Sequence, residues 1–181
     1  IAVRHDGQEL TWDALERAAN RRARAFAERG VKAGDYVAIG LPNSNAFYET
    51  SFAIWKLGAT PTSLSHRLPR GEVAAILDVL KPALVVGGEP DWNAPNALPQ
   101  DFVPVGVSDE PLDCPIARYW KAMTSGGSTG RPKIILDHHR SDSGAGTSAT
   151  VAWGAGVGTG AAASSPALRR RWAAATTAAA S

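Results

Sequence analysis

The densest group of chemically capable side chains runs from Met123 to Ile135, "MTSGGSTGRPKII". Gly126, Gly127 and Gly130 are interleaved there with the hydroxyls of Ser125, Ser128 and Thr129, and Lys133 follows three residues after the last glycine. Successive glycines let backbone N–H groups turn toward one point, hydroxyls add donors, and a lysine adds a full positive charge. The guest that suits such a set is an anion, and a polyphosphate above all. The Walker A pattern G-x-x-x-x-G-K-[ST] does not fit, because Arg131 and Pro132 separate Gly130 from Lys133 and Ile134 occupies the hydroxyl position. A helix-opening P-loop is therefore excluded. On residue types alone, both a phosphate cradle and a plain glycine-rich connector remain open.

Other candidate groups carry less. "GVGTGA", Gly156 to Ala161, fits the dinucleotide pattern formally, but no acidic residue follows Asp142, so the carboxylate that would hold a ribose is missing. His138 and His139 are adjacent and distant in sequence from His5 and His66, which reads as solvated histidines and not as a metal site. Arg169 to Arg171 read as a solvated surface. The arginines at 17, 21, 22, 24 and 29 lie among acidic residues and read as the solvated face of a helix, not as nucleic-acid contacts.

The elements that must position the loop are readable upstream. "LTWDALERAANRRARAFAERGV" predicts a helix with Thr11 as N-cap, Leu15, Ala19 and Phe26 on one face, and Gly30 as its stop. A short apolar run, Tyr36 to Leu41, precedes a second amphipathic helix closed by Gly58. The pattern then repeats: Val73, Ile76, Leu77 and Leu80 share a helical face, Pro82 terminates it, and Ala83 to Val86 predict a buried strand. Strands alternating with helices predict an α/β fold with a mostly parallel sheet flanked by helices. Gly87 to Pro115 reads as connecting loop with one short strand at "DFVPVGV"; "IARYWKAMT" and "KIIL" read as strands entering and leaving the glycine-rich loop.

Composition sets the outer bounds. The 181 residues are 44% apolar and 20% charged, with a formal net charge of +2, which fits one globular domain and offers no apolar run long enough to span a membrane. The lone Cys114 cannot form an internal disulfide, and no signal segment opens the chain, so a cytoplasmic setting is expected. The start at Ile1 predicts further sequence upstream. From His138 to Ser181, 31 of 44 positions are Ala, Gly, Ser or Thr, and such small side chains bury too little area to offset chain entropy. The expected organisation is a domain over residues 1–137 and a disordered, low-complexity tail over 138–181. Within that tail the absence of Lys and Glu suits a frameshift in a GC-rich gene, with a flexible linker as the alternative.

"TSGGSTGRPKII" resembles the signature loop of the AMP-forming adenylating enzymes, [ST]-[SG]-G-[ST]-[ST]-G-x-P-K, through Ser125, Gly126, Gly127, Ser128, Thr129, Gly130, Pro132 and Lys133. "GVKAGDYVAIGLPNSNAFYETSFAIWKLGATPTSLSHRLPRGEVAAILDVLKPALVV" is similar to the family's N-terminal subdomain, and the double glycine with Arg-Pro-Lys-Ile-Ile looks most like the bile-acid and acyl-CoA ligase branch. Ile134 departs from the glycine common in the family, and His66 from a proline. The resemblance implies an incomplete N-terminal subdomain of an acid–thiol ligase of fatty or steroid acids. Such an enzyme turns a carboxylic acid and ATP, with Mg2+, into an acyl-adenylate and pyrophosphate, then forms the thioester with coenzyme A. Ser125, Gly126, Gly127, Ser128, Thr129, Gly130 and Lys133 would bind the nucleotide, Lys133 with a catalytic role. The family's aromatic-Gly-x-Thr-Glu, Thr-Gly-Asp and C-terminal lysine segments do not occur, which implies that this chain alone is inactive. A nucleotide- or pyrophosphate-binding module without chemistry, and a non-functional product of a disrupted gene, are the competing readings.

Overall fold

The computed structural model describes residues 1–89, 92, 94–125 and 132–138. The chain opens with a hairpin of β1 (Val3–His5) and β2 (Gln8–Leu10), turned by Asp6 and Gly7 at φ 47° and 74°. Those left-handed conformations are what a two-residue hairpin turn demands, and Asp and Gly adopt them at little cost. Helix α1 (Trp12–Glu28) follows, capped as predicted by Thr11, whose Oγ1 accepts the Ala14 N–H at 3.1 Å. Its stripe of Leu15, Ala19 and Phe26 is buried, and Gly30 leaves the helix at φ 91°.

Strand β3 (Tyr36–Ile39), helix α2 (Asn45–Lys56) and strand β4 (Thr60–Ser63) form the first parallel unit. Helix α3 (Arg70–Leu80) and strand β5 (Leu84–Val86) form the second. Then come β6 (Ala97–Leu98), β7 (Lys121–Thr124) and β8 (Ile134–Asp137), giving a six-stranded sheet in the order β6-β5-β3-β4-β7-β8, parallel except for β8. The predicted mixed architecture, a mostly parallel sheet flanked by helices, is what is seen. Val37, Ile39, Leu84 and Val86 face one core with Phe26 and Ile54; the alternate positions Ala38 and Val85 face a second with Val73, Ile76 and Leu80. Burial on both faces explains why these strands read as continuous apolar runs. Among the described residues no helix is long and apolar enough to cross a membrane.

Several expectations are corrected. "DFVPVGV" forms no strand: Phe102 packs against the first core while Val103 and Val105 are exposed, and Pro104 lacks the N–H a ladder needs. The sheet edge is instead β6, and β4 comes from "TPTS", which lacks a strand's apolar pattern. The strand expected across "IARYWKAMT" is confined to Lys121–Thr124.

The arginines of α1 are not uniformly solvated. Arg22 is buried, its Nε donating to Glu49 Oε2 at 3.0 Å and its Nη1 to the Phe102 carbonyl at 2.9 Å. Arg24 Nη1 donates to the Ser108 and Glu110 carbonyls, at 3.1 and 2.8 Å, and Arg21 Nη1 to Asp109 Oδ2 at 2.9 Å. An irregular segment leaves carbonyls without ladder partners, and the fork of guanidinium donors meets them. Arg17 and Arg29 do remain exposed.

Candidate phosphate-binding loop

β7 and β8 form a hairpin in the register Lys121↔Asp137, Ala122↔Leu136, Met123↔Ile135 and Thr124↔Ile134. The pairing runs one step further. The Ser125 N–H donates to the Lys133 carbonyl at 3.0 Å, and the Lys133 N–H donates to Ser125 Oγ at 3.2 Å. Two of the predicted site residues, Ser125 and Lys133, are thus brought face to face as the closed base of the loop. Gly126, Gly127, Ser128, Thr129 and Gly130 lie outside the described residues. One lone pair of the Ser125 hydroxyl serves the loop base, and its hydrogen can still be donated to a guest. Lys133 is exposed.

Because β7 runs parallel to β4, the loop leaves the sheet at the edge where β3, β4 and β5 also end. In open α/β sheets that carboxyl edge is where ligands bind. Ile134, the first residue of β8, packs against the second core cluster, to which Leu64, Val73 and Leu80 belong, so the outgoing strand is anchored on the core. The residues at the loop base are Thr124, Ser125, Lys133 and Ile134, a cation and hydroxyls with no carboxylate among them, as an anionic guest requires.

The remaining sequence candidates are dispersed. His138 is exposed with its ring edge-on to Tyr119 at 5.2 Å, and His5 Nδ1 lies 3.5 Å from Asp6 Oδ2. Among the described residues no three His, Cys, Asp or Glu side chains form a metal-binding group. His139, Gly156 to Ala161 and Arg169 to Arg171 lie outside the described residues. A polar cavity of about 130 Å³ lies between α1 and Asp109–Pro111 and contains no residue of the loop. Arg17 pairs there with Asp13 at 3.0 Å and with Asp109 at 3.6 Å, while Glu16 pairs with Lys56 outside the cavity.

Sequence reasoning missed the pair that fastens the hairpin. Trp55, buried in α2, donates its indole N–H to the Trp120 carbonyl at 2.7 Å, and the two rings stack with centroids 4.0 Å apart. The available signal was a tryptophan on the apolar face of α2 and another immediately before a strand.

The family model described as AMP-binding enzyme matches residues 1–115, ending before the loop. Feruloyl-CoA synthase of Amycolatopsis sp is 35% identical over 147 residues, covering 76% of this chain and 30% of that protein. Malformin synthetase mlfA of Aspergillus brasiliensis is 34% identical over 146 residues, covering 77% of this chain and 3% of that one. The chain thus spans under a third of the length of either relative. Among solved structures, o-succinylbenzoate coenzyme A synthetase (MenE) from Bacillus subtilis in complex with AMP superposes with a TM-score of 0.63 at 21% identity, over 72% of this chain and 36% of that one. That likeness is one of fold.

Proposed function

Because the chain belongs to the AMP-binding enzyme family, we propose that it corresponds to the N-terminal part of an ATP-dependent, AMP-forming ligase whose pyrophosphate is held by the loop from Ser125 to Lys133. The observation that carries this reading is the closed base formed by Ser125 and Lys133 at the carboxyl edge of the parallel sheet. In the reaction, a carboxylate oxygen attacks the α-phosphorus of ATP, the bond to the bridging oxygen breaks, and its electron pair leaves with pyrophosphate. Negative charge grows on that leaving group. The hydroxyls of Ser125, Ser128 and Thr129, the glycine N–H groups and the Lys133 ammonium meet it there, lowering the barrier because their hold strengthens as the charge develops.

Mg2+ would reach the site with the phosphates of ATP, as it commonly does. The loop base supplies no carboxylate for it, so the loop's part is restricted to N–H, hydroxyl and ammonium contacts with the phosphates. A thiol, coenzyme A in an acyl-CoA ligase, would then displace AMP. Feruloyl-CoA synthase and malformin synthetase match at nearly equal identity, 35% and 34%. The choice of coenzyme A therefore rests on the run Arg131-Pro132-Lys133-Ile134-Ile135. Residues 1–137 form part of the N-terminal AMP-binding domain in this reading, ending in the phosphate-binding loop, residues 138–181 add no domain, and a reducing cytoplasmic setting suits the single thiol. The chain alone binds but does not turn over.

Calorimetric titration of the chain with pyrophosphate and with MgATP tests the reading. Saturable heat that disappears in Lys133→Met is expected. No saturable heat at millimolar ligand, or undiminished heat in the variant, would remove the loop from the phosphate site.

A further inference from the structure

Among the described residues, the strand ladder between the parallel sheet and the hairpin that carries the loop has one register pair, Thr62↔Ala122. The reason lies in β4. The Thr60 and Leu64 N–H groups donate toward β3, to the Asp35 and Ile39 carbonyls, each at 2.8 Å. Alternation then turns position 61 toward β7, and that position is Pro61, which has no N–H to give. The ladder therefore lacks a donor where the hairpin attaches. On its other side β8 is the outermost strand among the described residues.

A clamp stands where the ladder is thin. The Trp55 indole N–H reaches the Trp120 carbonyl at 2.7 Å and the rings stack within 20° of parallel, while the Trp120 N–H donates to the Asp137 carbonyl at 3.0 Å. Trp120 immediately precedes β7 and Asp137 ends β8, so one residue ties both strands to each other and to α2 at the end opposite the loop. Ser125 lies five positions further along, roughly 17 Å at the rise of an extended strand. We propose that Trp55 is the positioning residue for the phosphate loop: its indole, through Trp120, sets where the hairpin sits against the sheet and hence where Ser125 and Lys133 meet a guest. The functional half of this proposal rests on the pyrophosphate reading above; the mechanical half does not.

The test uses the 181-residue chain and two variants. Trp55→Phe keeps an aromatic ring against Trp120 and removes the donor; Trp120→Leu removes the stack and keeps the backbone carbonyl. Amide hydrogen exchange is compared at Ser125 and the β7–β8 ladder and at Val37–Ile39 in β3. In Trp55→Phe, exchange at Ser125 and the ladder is expected to speed up about tenfold, as for loss of one buried hydrogen bond, with β3 unchanged within about twofold. Trp120→Leu is expected to act in the same direction, and pyrophosphate to bind each variant more weakly than wild type. Unchanged exchange at Ser125 in both variants would overturn the proposal, as would equal acceleration in β3 and the hairpin, which is the signature of general destabilisation. If wild type fails to bind pyrophosphate, the phosphate reading falls, and the exchange pattern still decides whether Trp55 positions the hairpin.

Discussion

Arg22 and Glu49 form an ion pair at 3.0 Å between α1 and α2, with only 7% and 18% of their side-chain surfaces exposed. A buried carboxylate that loses its cation keeps its desolvation penalty without compensation. Arg22→Met is therefore expected to destabilise the chain by ~3 kcal/mol or more, whereas Arg22→Met combined with Glu49→Leu recovers much of the loss. Urea unfolding of the wild type and the two variants measures both quantities, and a double variant no more stable than the single one would contradict the pairing.

Gly40 follows β3 at the carboxyl edge of the sheet, and a Cβ built on it would stand 2.6 Å from the Gly87 carbonyl and 2.8 Å from the Trp92 ring. Neither neighbour is a flexible chain end. Gly40→Ala is expected to lower stability by ~1–3 kcal/mol through overpacking, read as a lower urea midpoint with an unchanged slope.

The Cys114 thiol is pushed above its ordinary value near 9.0, first by burial and then by the charges of Glu16 and Asp113, with Lys56 opposing. The folded state therefore keeps a proton that the unfolded chain releases. The stability this contributes is complete below the unfolded value near pH 9.0 and falls as pH rises through the folded one. Two outcomes are expected. Iodoacetamide, which needs the thiolate, should label the folded chain more slowly than the urea-unfolded chain at pH 8.5, and Cys114→Ala should flatten the loss of stability above about pH 9.

In a complete family enzyme carrying this loop, Lys133→Met removes charge from the leaving pyrophosphate while keeping much of the stem. Adenylation is expected to slow by ~10²- to 10³-fold. Thioester formation from preformed acyl-adenylate releases no pyrophosphate and should be nearly unaffected. Pyrophosphate exchange in wild type and variant checks the first step, and equal rates would end the assignment.

The helices were legible because their signals are local: Thr11 caps what it precedes, and Leu15, Ala19 and Phe26 repeat at helical spacing. The hairpin at Asp6-Gly7 is equally legible through its turn dipeptide, although the elements read from the sequence begin with the helix capped by Thr11. β4 was hidden, since Thr-Pro-Thr-Ser carries no apolar pattern and a proline argues against an interior strand; only its neighbours bury it. Arg22 was misread for a related reason. Its partners Glu49 and Phe102 lie 27 and 80 positions away, and no periodicity within α1 distinguishes it from the exposed Arg17. In the candidate site, residue types indicated an anion, while the facing of Ser125 and Lys133 depended on the strand register.

The side chains of α1 that hold the segment from Phe102 to Pro111 have a bearing on how the chain comes to be made. Asn20 and Arg22 bond carbonyls 89 and 80 positions downstream, and each such contact closes a loop whose entropy cost grows with its length. On a ribosome adding ~5–20 residues per second, those partners emerge roughly 4 to 16 seconds after α1 itself. Through that interval α1 can pair with α2 while its outer guanidiniums stay hydrated. The clasp is then a late event in biogenesis, and a pause in translation before Phe102 would hold the nascent chain with its first two helices packed and its latch open.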